Sequence, residues 1–436
     1  MNNIDIFREP FNRLQSTDAD PGLGAIREKA FTDLGKMGIP TVKHEEWKYT
    51  RVSSLFSKDF QLDVEANDTS VTAGDLDSLR LPGDEQANSL VFINGKFSFQ
   101  LSRIISEHIV VMPLEEAAKN EYAEIVLKHF GHSSQYLKDG IHALNTAFIQ
   151  GAVFVQVKKG KLLEHPVYIY NITDARGRSV LAQPRSLVHI QENAQAQFVE
   201  TYTSIGSDAS FTNQVTEFVV EQDAVLEYYK IQNESSDSNN VSTTHIRQVG
   251  KSYTHTVTIS LNGGIVRNNL NIILDAERCE SHLYGLYFQD GQTHIDNHTL
   301  VDNVKPNCFS NELYKGIIDG EAAAVFNGKI FVRPQAQKTN AYQSNKNILL
   351  SDAASVNTKP QLEIFADDVK CSHGCTIGQL NDEGLFYLQS RGISEKNAKA
   401  LLLHAFAEDI LEHIKLQPLR EYVDGLISKR LDFNLS

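Results

Sequence analysis

Residues 188–198 read VHIQENAQAQF, and looser versions of this pattern return along the middle of the chain. Each version has a pair of apolar residues, one or more acidic or amide residues, an alanine or cysteine, and then another apolar run. The spacing between versions is irregular, near 30 residues in places and longer elsewhere. The further versions are FVVEQDAVLEYY (218–229), IILDAERCESHLY (272–284), IIDGEAAAVF (317–326) and LLSDAASVN (349–357). Such loose repetition predicts short strands separated by polar turns.

The region that contains these repeats, residues 151–378, is rich in Val, Ile, Thr, Tyr and Phe and has hardly any helical periodicity. A β-solenoid would bury the apolar face of each coil against the next coil. An antiparallel sandwich has strands of similar length and composition, and the repeat pattern alone does not separate the two architectures. The predicted fold class is therefore mainly β.

Helical periodicity returns on both sides of the repeats. Residues 1–150 are predicted to form a mainly helical region with one short hairpin, because Asn94-Gly95 between two apolar runs is a strong hairpin signal. Residues 379–436 are predicted to form a C-terminal helical domain, since apolar residues recur at helical spacing between Leu401 and Ile414. The sequence is thus divided into an N-terminal region, a β core over 151–378 and a helical end.

Charge and composition indicate which partners and which cell compartment to expect. The formal net charge is −14 at pH 7, which argues against nucleic acid and anionic membranes because both require a basic surface. No apolar run approaches the length of a membrane span, and the first residues, MNNIDIFREPFNRL, lack the apolar centre of a signal peptide. Four cysteines without a framework spacing favour reduced thiols, so we expect a cytoplasmic protein.

Motifs for several catalytic activities are absent from the sequence. It contains no G-x-x-x-x-G-K-[ST], no G-x-G-x-x-G after a strand, no G-x-S-x-G and no H-E-x-x-H. We therefore expect that this chain does not hydrolyse nucleotides by itself.

Two of the four cysteines flank a histidine in the run CSHGC, residues 371–375. In an extended strand, side chains two and four residues apart share a face, so Cys371, His373 and Cys375 would point the same way. Two sulfurs and an imidazole suit zinc or iron. The alternative is that the cysteines are small buried hydrophobic residues, because no second cysteine pair completes a four-ligand set. The spacing alone leaves both interpretations open.

A second group of ligand-type residues is His294, Asp296 and His298, which would share one face of a strand. Imidazoles with a carboxylate can hold iron or zinc. The interpretation we favour is an outward polar face of a solenoid coil that meets water, because polar outward faces are the norm for strands. Cys279 and Cys308 stand alone and are predicted to be core or turn residues.

Several long runs of the chain resemble the SufB/SufD family of iron–sulfur cluster assembly subunits. The resemblance spans nearly the whole chain and is strongest from about residue 296 to residue 392. The runs that carry it are EEWKYT (45–50), VDNVKPNCFSNELYKGIIDG (301–320), KTNAYQSNKNILLSDAASVNTKPQLEIF (338–365), ADDVKCSHG (366–374) and LFYLQSRG (385–392). The resemblance implies a right-handed parallel β-helix core between helical ends, and so favours the solenoid over the sandwich.

The resemblance also implies a function and partners. The chain would be a non-catalytic assembly subunit that pairs with SufB through the β-helix and binds the ATPase SufC through its C-terminal helices. In isolation it would pair with itself. The alternative function is that of a carbohydrate-active β-helix enzyme. Such an enzyme would favour a secretion signal and a cluster of carboxylates with a basic residue on one coil face, and neither is evident.

The CSHGC run gains a role from the same resemblance. His373 would be a ligand to a transient iron–sulfur cluster or iron shared with SufB, acting with a cysteine that SufB contributes, and Cys371 would be the neighbouring candidate. Cys375 stands where the family is expected to have a small residue that does not bind metal, so it is either a third donor or a space-filling residue. No tightly bound cofactor is expected in the isolated chain.

Overall fold

The computed structural model describes residues 4–17, 21–57, 60–62 and 71–432, and its body is a parallel β-helix made of two stacked sheets. From β8 (Arg185–Ile190) onward, the chain crosses from one sheet to the other with each successive strand. The first sheet contains β1 (Gln61–Leu62), β4 (Ile109–Pro113), β5 (Val153–Val157), β7 (Val180–Ala182), β8 (Arg185–Ile190), β10 (Ser210–Val220), β12 (Ser238–Gln248), β14 (Ile265–Leu274), β16 (His294–Asn303), β18 (Ala323–Val332) and β20 (Ser355–Ile364). The second sheet contains β2 (Asn88–Ile93), β3 (Lys96–Phe97), β6 (Val167–Asp174), β9 (Gln195–Ile205), β11 (Val225–Asn233), β13 (Tyr253–Asn262), β15 (Glu280–Gln289), β17 (Phe309–Ile318), β19 (Asn340–Leu349) and β21 (Lys370–Gly378).

From β8 onward, each strand pairs in parallel with the next strand of its own sheet, which excludes the antiparallel sandwich. Asn240 aligns with Val266, and Ala323 aligns with Ser355, so one coil takes 26 to 32 residues. Apolar side chains fill much of the space between the two sheets. The prediction of a mainly β protein with a β-helix core and helical ends is confirmed.

The repeated sequence pattern marks the corners of the β-helix. The versions at 188, 218 and 272 carry the chain from the first sheet to the second, and those at 317 and 349 carry it back. The spacing in the sequence is irregular because the pattern skips the corner between β12 and β13 and then changes from one set of corners to the other. In the first two corners the turn contains Asn193 (φ 57°) and Asp223 (φ 55°), residue types that tolerate the left-handed conformation.

Helices and short segments cover the outer faces of both sheets. N-terminal helices pack on the first sheet, whereas β2, the chain around it and the C-terminal helices pack on the second. The α-helices are α1 (Arg8–Thr17), α2 (Pro21–Met37), α3 (Ala73–Asp77), α4 (Leu114–Ala117), α5 (Ala123–His129), α6 (Gly140–Ala147), α7 (Asp382–Ser390), α8 (Glu395–Leu411) and α9 (Gln417–Arg430). Short 3-10 helices lie at Asp5–Phe7, Glu45–Trp47, Val52–Ser57 and His132–Gln135. Among the helices of these described ranges, none is both long enough and apolar enough to cross a membrane.

The predicted hairpin is present between β2 and β3. Asn94 (φ 50°) and Gly95 (φ 87°) form its turn, and a Cβ on Gly95 would lie 2.4 Å from the backbone nitrogen of Gln183. The hairpin is more than a local feature, because β2 pairs in parallel with β6 and so extends the second sheet. The N-terminal region therefore closes the first end of the β-helix.

Candidate functional site

The last coil of the β-helix, formed by β20 and β21, is open. Each of these strands pairs with an earlier strand on one side only, β20 with β18 and β21 with β19, and no other described strand pairs with the far side of either. Most of β21 is exposed, and apolar side chains such as Phe365 (59% exposed) and Ile377 (47% exposed) lie at this end. Unpaired backbone groups along two neighbouring edges are suited to pairing with another chain.

The CSHGC run lies on β21, at the open edge of the second sheet. Cys371, His373 and Cys375 align with Ala341, Gln343 and Asn345 of β19, which are all buried. The three side chains therefore continue an inward-facing row of the β-helix. Because no coil follows β21 in the described chain, His373 and Cys375 are exposed although their row faces inward.

Cys371 differs from its two neighbours in the row because it is partly buried. It packs with Ile330, Ala341 and Leu362 in a small apolar cluster at the end of the β-helix. Burial raises the pKa of the Cys371 thiol. Since the thiolate is the form that binds metals, Cys371 needs a bound ion to favour deprotonation.

The three candidate ligands are spread along the strand. A strand rises by about 3.3 Å per residue, so Cys371 and Cys375 are separated by roughly 13 Å. In the described part of the chain they do not form a group whose three ligand atoms lie within 4.8 Å of one another. One ion bound at His373 would therefore draw some of its ligands from outside this row.

The second predicted group, His294, Asp296 and His298, has different surroundings from those expected. Asp296 is 1% exposed, because the segment Glu45–Trp47 and the residues after it cover this part of the first sheet. The predicted outward face is confirmed, because Ile295 between these residues lies in the core, but the prediction that this face meets water is wrong. The covering segment belongs to the EEWKYT run, and Trp47 itself is 2% exposed.

Asp296 is the centre of a buried charged network. Its carboxylate lies 2.9 Å from Arg267 Nη1 and 3.0 Å from His298 Nε2, and it accepts a hydrogen bond from Thr50 Oγ1. Burial alone would raise the pKa of Asp296, but His298, Arg267 and Thr50 together hold it well below its ordinary value. His298 also lies 3.4 Å from Glu46. The network thus fastens the N-terminal segment to the β-helix.

Another group of ligand-type residues joins the C-terminal helices. His404 and Glu408 on α8 and Asp424 on α9 have side-chain atoms within 4.8 Å of one another, the one such trio in the described residues. His404 Nε2 lies 2.6 Å from Asp424 Oδ1, and Arg420 donates to Glu408 across 3.1 Å. These contacts pair the groups with each other. This trio was not predicted from the sequence; the signal that could have indicated it is the spacing of His404 and Glu408, four residues apart on a predicted helix.

Cys279 and Cys308 are buried at corners of successive coils, which confirms their interpretation as core or turn residues. Both thiols donate to the carbonyl oxygen of Ala276, at 3.2 Å and 3.3 Å. The neighbouring Cys308 thiol and burial together raise the pKa of Cys279. These two cysteines are part of the packing inside the β-helix.

The sequence of this fold matches one known family along nearly its whole length. A family model described as the SufBD core domain of the SUF system for FeS cluster assembly matches residues 171–406, and one for the SufBD N-terminal region matches residues 2–169. The chain belongs to the SufBD family. The core match includes the CSHGC run on β21 and so places the open coil within the family's shared domain.

Individual SufBD relatives cover almost the full chain. A SufBD family iron–sulfur cluster assembly protein of Synechocystis is 31% identical over 96% of this chain and 97% of its own length. The iron–sulfur cluster assembly protein SufD of Escherichia coli is 30% identical over 91% of this chain and 90% of its own length. These relatives favour cluster assembly over the carbohydrate-active alternative.

Proposed function

We propose that this chain is a SufD-type scaffold subunit, without catalytic activity of its own, that helps to build iron–sulfur clusters at a shared interface with SufB. The observation that carries the proposal is the open last coil, which presents His373 in an inward row beside two unpaired strand edges. A SufB chain placed along these edges would satisfy their backbone groups and bring its own side chains to the row.

The nascent cluster, or its iron, is the cargo of this interface. His373 would supply an imidazole donor, Cys371 would be the neighbouring candidate, and SufB would supply at least one thiolate. The spread of the row supports this division, because one ion cannot reach all three side chains of CSHGC. Cys375 is the weaker candidate. Because the ligands would come from two chains, a movement of one chain relative to the other would separate them and release the cluster.

The C-terminal helices would bind the ATPase SufC. Helices α8 and α9 pack apolar residues such as Leu403 and Val423 against the second sheet. An ion pair between Asp409 on α8 and Lys315 on β17, 2.6 Å apart, also holds them there. Helix α7 has no buried residue and exposes Phe386 (72%) and Tyr387 (56%). An exposed aromatic pair on a helix held by a fixed support is suited to docking.

Without SufB, the chain would cover its open coil with a second copy of itself. A two-fold dimer is the commonest arrangement that lets one surface pair with its own copy. The cytoplasm is the proposed compartment, because Cys279, Cys308, Cys371 and Cys375 are all free thiols and the Escherichia coli relative works in cluster assembly.

The test is co-purification of this chain with SufB and SufC after joint expression, with iron and sulfide measured in the complex. Ile377→Arg places a charge on the edge strand β21 and should reduce recovery of SufB about tenfold or more, since an unpaired buried charge is costly at an interface. The matched control is Ile105→Arg, because Ile105 is 54% exposed and lies away from the open coil. Equal recovery of SufB with Ile377→Arg and with the control would contradict the proposed interface.

A further inference from the structure

Inside the β-helix, a buried carboxyl group lies in the same row as His373. Glu312 on β17 aligns with Gln343 on β19, which aligns with His373 on β21. Glu312 is 2% exposed and Gln343 is 4% exposed. Successive members of the row stand on neighbouring strands, about 4.8 Å apart.

The contact between Glu312 and Gln343 fixes the direction of the amide. Gln343 Nε2 donates to Glu312 Oε2 at 2.8 Å. A charged carboxylate only accepts hydrogen bonds, so the amide nitrogen must face Glu312 and the amide oxygen must face away from it. The Gln343 Oε1 atom is buried and has no hydrogen-bond partner.

Gly328 on β18 makes room for this arrangement. A Cβ at position 328 would lie 2.3 Å from Gln343 Nε2, so any other residue would push the amide out of its place. A buried carboxyl that has only the Thr299 hydroxyl and an amide beside it is costly, and no described cation lies in ion-pair contact with Glu312. Packing alone does not explain why this interior holds such a pair.

His373 has the group that would complete the row. Its imidazole is exposed and makes no hydrogen bond or ion pair with the described residues. A neutral imidazole carries one N–H donor and one acceptor nitrogen, and a histidine that binds metal usually donates its N–H to a nearby oxygen. The buried Gln343 Oε1 on the adjacent strand is such an oxygen.

We infer that Gln343, held by Glu312, is a positioning residue that accepts a hydrogen bond from the ring N–H of His373 and leaves the other ring nitrogen free for the cargo. The inference rests on the proposed function for its biological meaning. The structure shows the His373 ring exposed and Gln343 Oε1 without a partner among the described residues, so the contact requires the ring to rotate toward the interior. This rotation needs no cluster, and the resulting hydrogen bond is measurable in the chain by itself.

The experiment measures the tautomer of His373 in the full-length chain labelled with 15N-histidine, with its ring signals assigned by their loss in His373→Ala. Burial raises the pKa of Glu312 to about 7, so spectra are recorded at pH 8, where this carboxyl is mostly charged. Wild type should show one tautomer of His373, and Gln343→Leu should show a mixture. Glu312→Gln should keep one tautomer, because an amide oxygen still accepts from Gln343, whereas Glu312→Leu should not.

The matched control is Gln289→Leu, because Gln289 is another fully buried interior glutamine with an unpartnered Oε1 and lies outside this row. Gln343→Leu should also slow cluster formation by the assembled complex about 10- to 100-fold, with the control near wild type. A single tautomer that survives Gln343→Leu, or a mixture in wild type, would overturn the inference. If the tautomer responds but His373→Ala still supports cluster formation, the positioning contact stands and the proposed function fails.

Discussion

Asp296 is a single buried carboxylate that joins the N-terminal segment to the β-helix. Its partners come from both sides of the junction, Thr50 from the N-terminal segment and Arg267 from the neighbouring strand. The Arg267 guanidinium also lies 3.8 Å from the centre of the Trp47 ring. Loss of one member of such a buried group leaves another charge unpaired, so this junction depends on all of its members.

Glu46 makes the stability of the junction depend on pH. Its hydrogen bond with His298 lowers the pKa of Glu46 from 4.5 to about 2, against the opposite effect of burial. A lowered pKa means that the contribution to the free energy of unfolding is complete above about pH 4.5 and is lost as the pH falls toward 2.

Glu46→Gln should therefore lower the melting temperature at pH 7, with a cost of about 1 kcal/mol or less because the Glu46 side chain is 56% exposed. The difference between wild type and variant should shrink as the pH is lowered from 4.5 toward 2. Melting curves at a series of pH values check this, with Glu28→Gln on α2 as an exposed control. A difference of constant size down to the lowest pH would show that the charge of Glu46 is not the cause.

Among the elements, the corners of the β-helix were the most predictable from sequence and its covering segments the least. The corner pattern is local, since a polar turn with a residue such as Asn193 at positive φ determines where each strand ends. The surroundings of Asp296 depend on residues roughly 250 positions earlier, which no periodicity of the strand reveals. The sequence correctly predicted that Cys371, His373 and Cys375 alternate along a strand and share a face. That this face points into an open coil could not be predicted, because it follows from the pairing of β21 with β19.

The C-terminal helices are the element on which the docking of SufC is predicted to depend. A chain truncated after Gly378 should keep β-type circular dichroism, because each coil is held by its neighbours. It should melt at a lower temperature, since removal of α8 and α9 uncovers apolar residues of the second sheet such as Phe288 and Ile259. It should also lose SufC in co-purification.

A milder change separates docking from stability. Phe386→Ala combined with Tyr387→Ala should weaken SufC binding about tenfold or more and leave the melting temperature within about a degree, because both side chains are mostly exposed. Leu127→Ala on α5 is the control, since Leu127 is 76% exposed on a distant helix. Unchanged SufC binding by the double variant would move the docking surface away from α7.

The whole molecule is closed at one end and open at the other. Antiparallel strands β3 and β4 complete the sheets at the N-terminal end, and helices cover both outer faces. The last coil has no such cover in the described chain, and it carries the cysteines and histidine of CSHGC. This asymmetry, rather than a catalytic pocket, is the feature that the proposed assembly function uses.

The most direct measurement of that function is complementation of a strain that lacks its other cluster-assembly system by variants of this chain. His373→Ala should abolish Suf-dependent cluster formation, because an alkyl group supplies no donor, while the melting temperature and co-purification with SufB and SufC stay unchanged. Cys371→Ser should reduce cluster formation less than His373→Ala does if that thiol does not bind the cargo, and equally if it does. Cys375→Ala should leave cluster formation nearly unchanged if that residue only fills space. The control is His165→Ala, since His165 is exposed in a loop before β6. Full complementation by His373→Ala would remove the metal-binding role from this residue and contradict the account of the open coil.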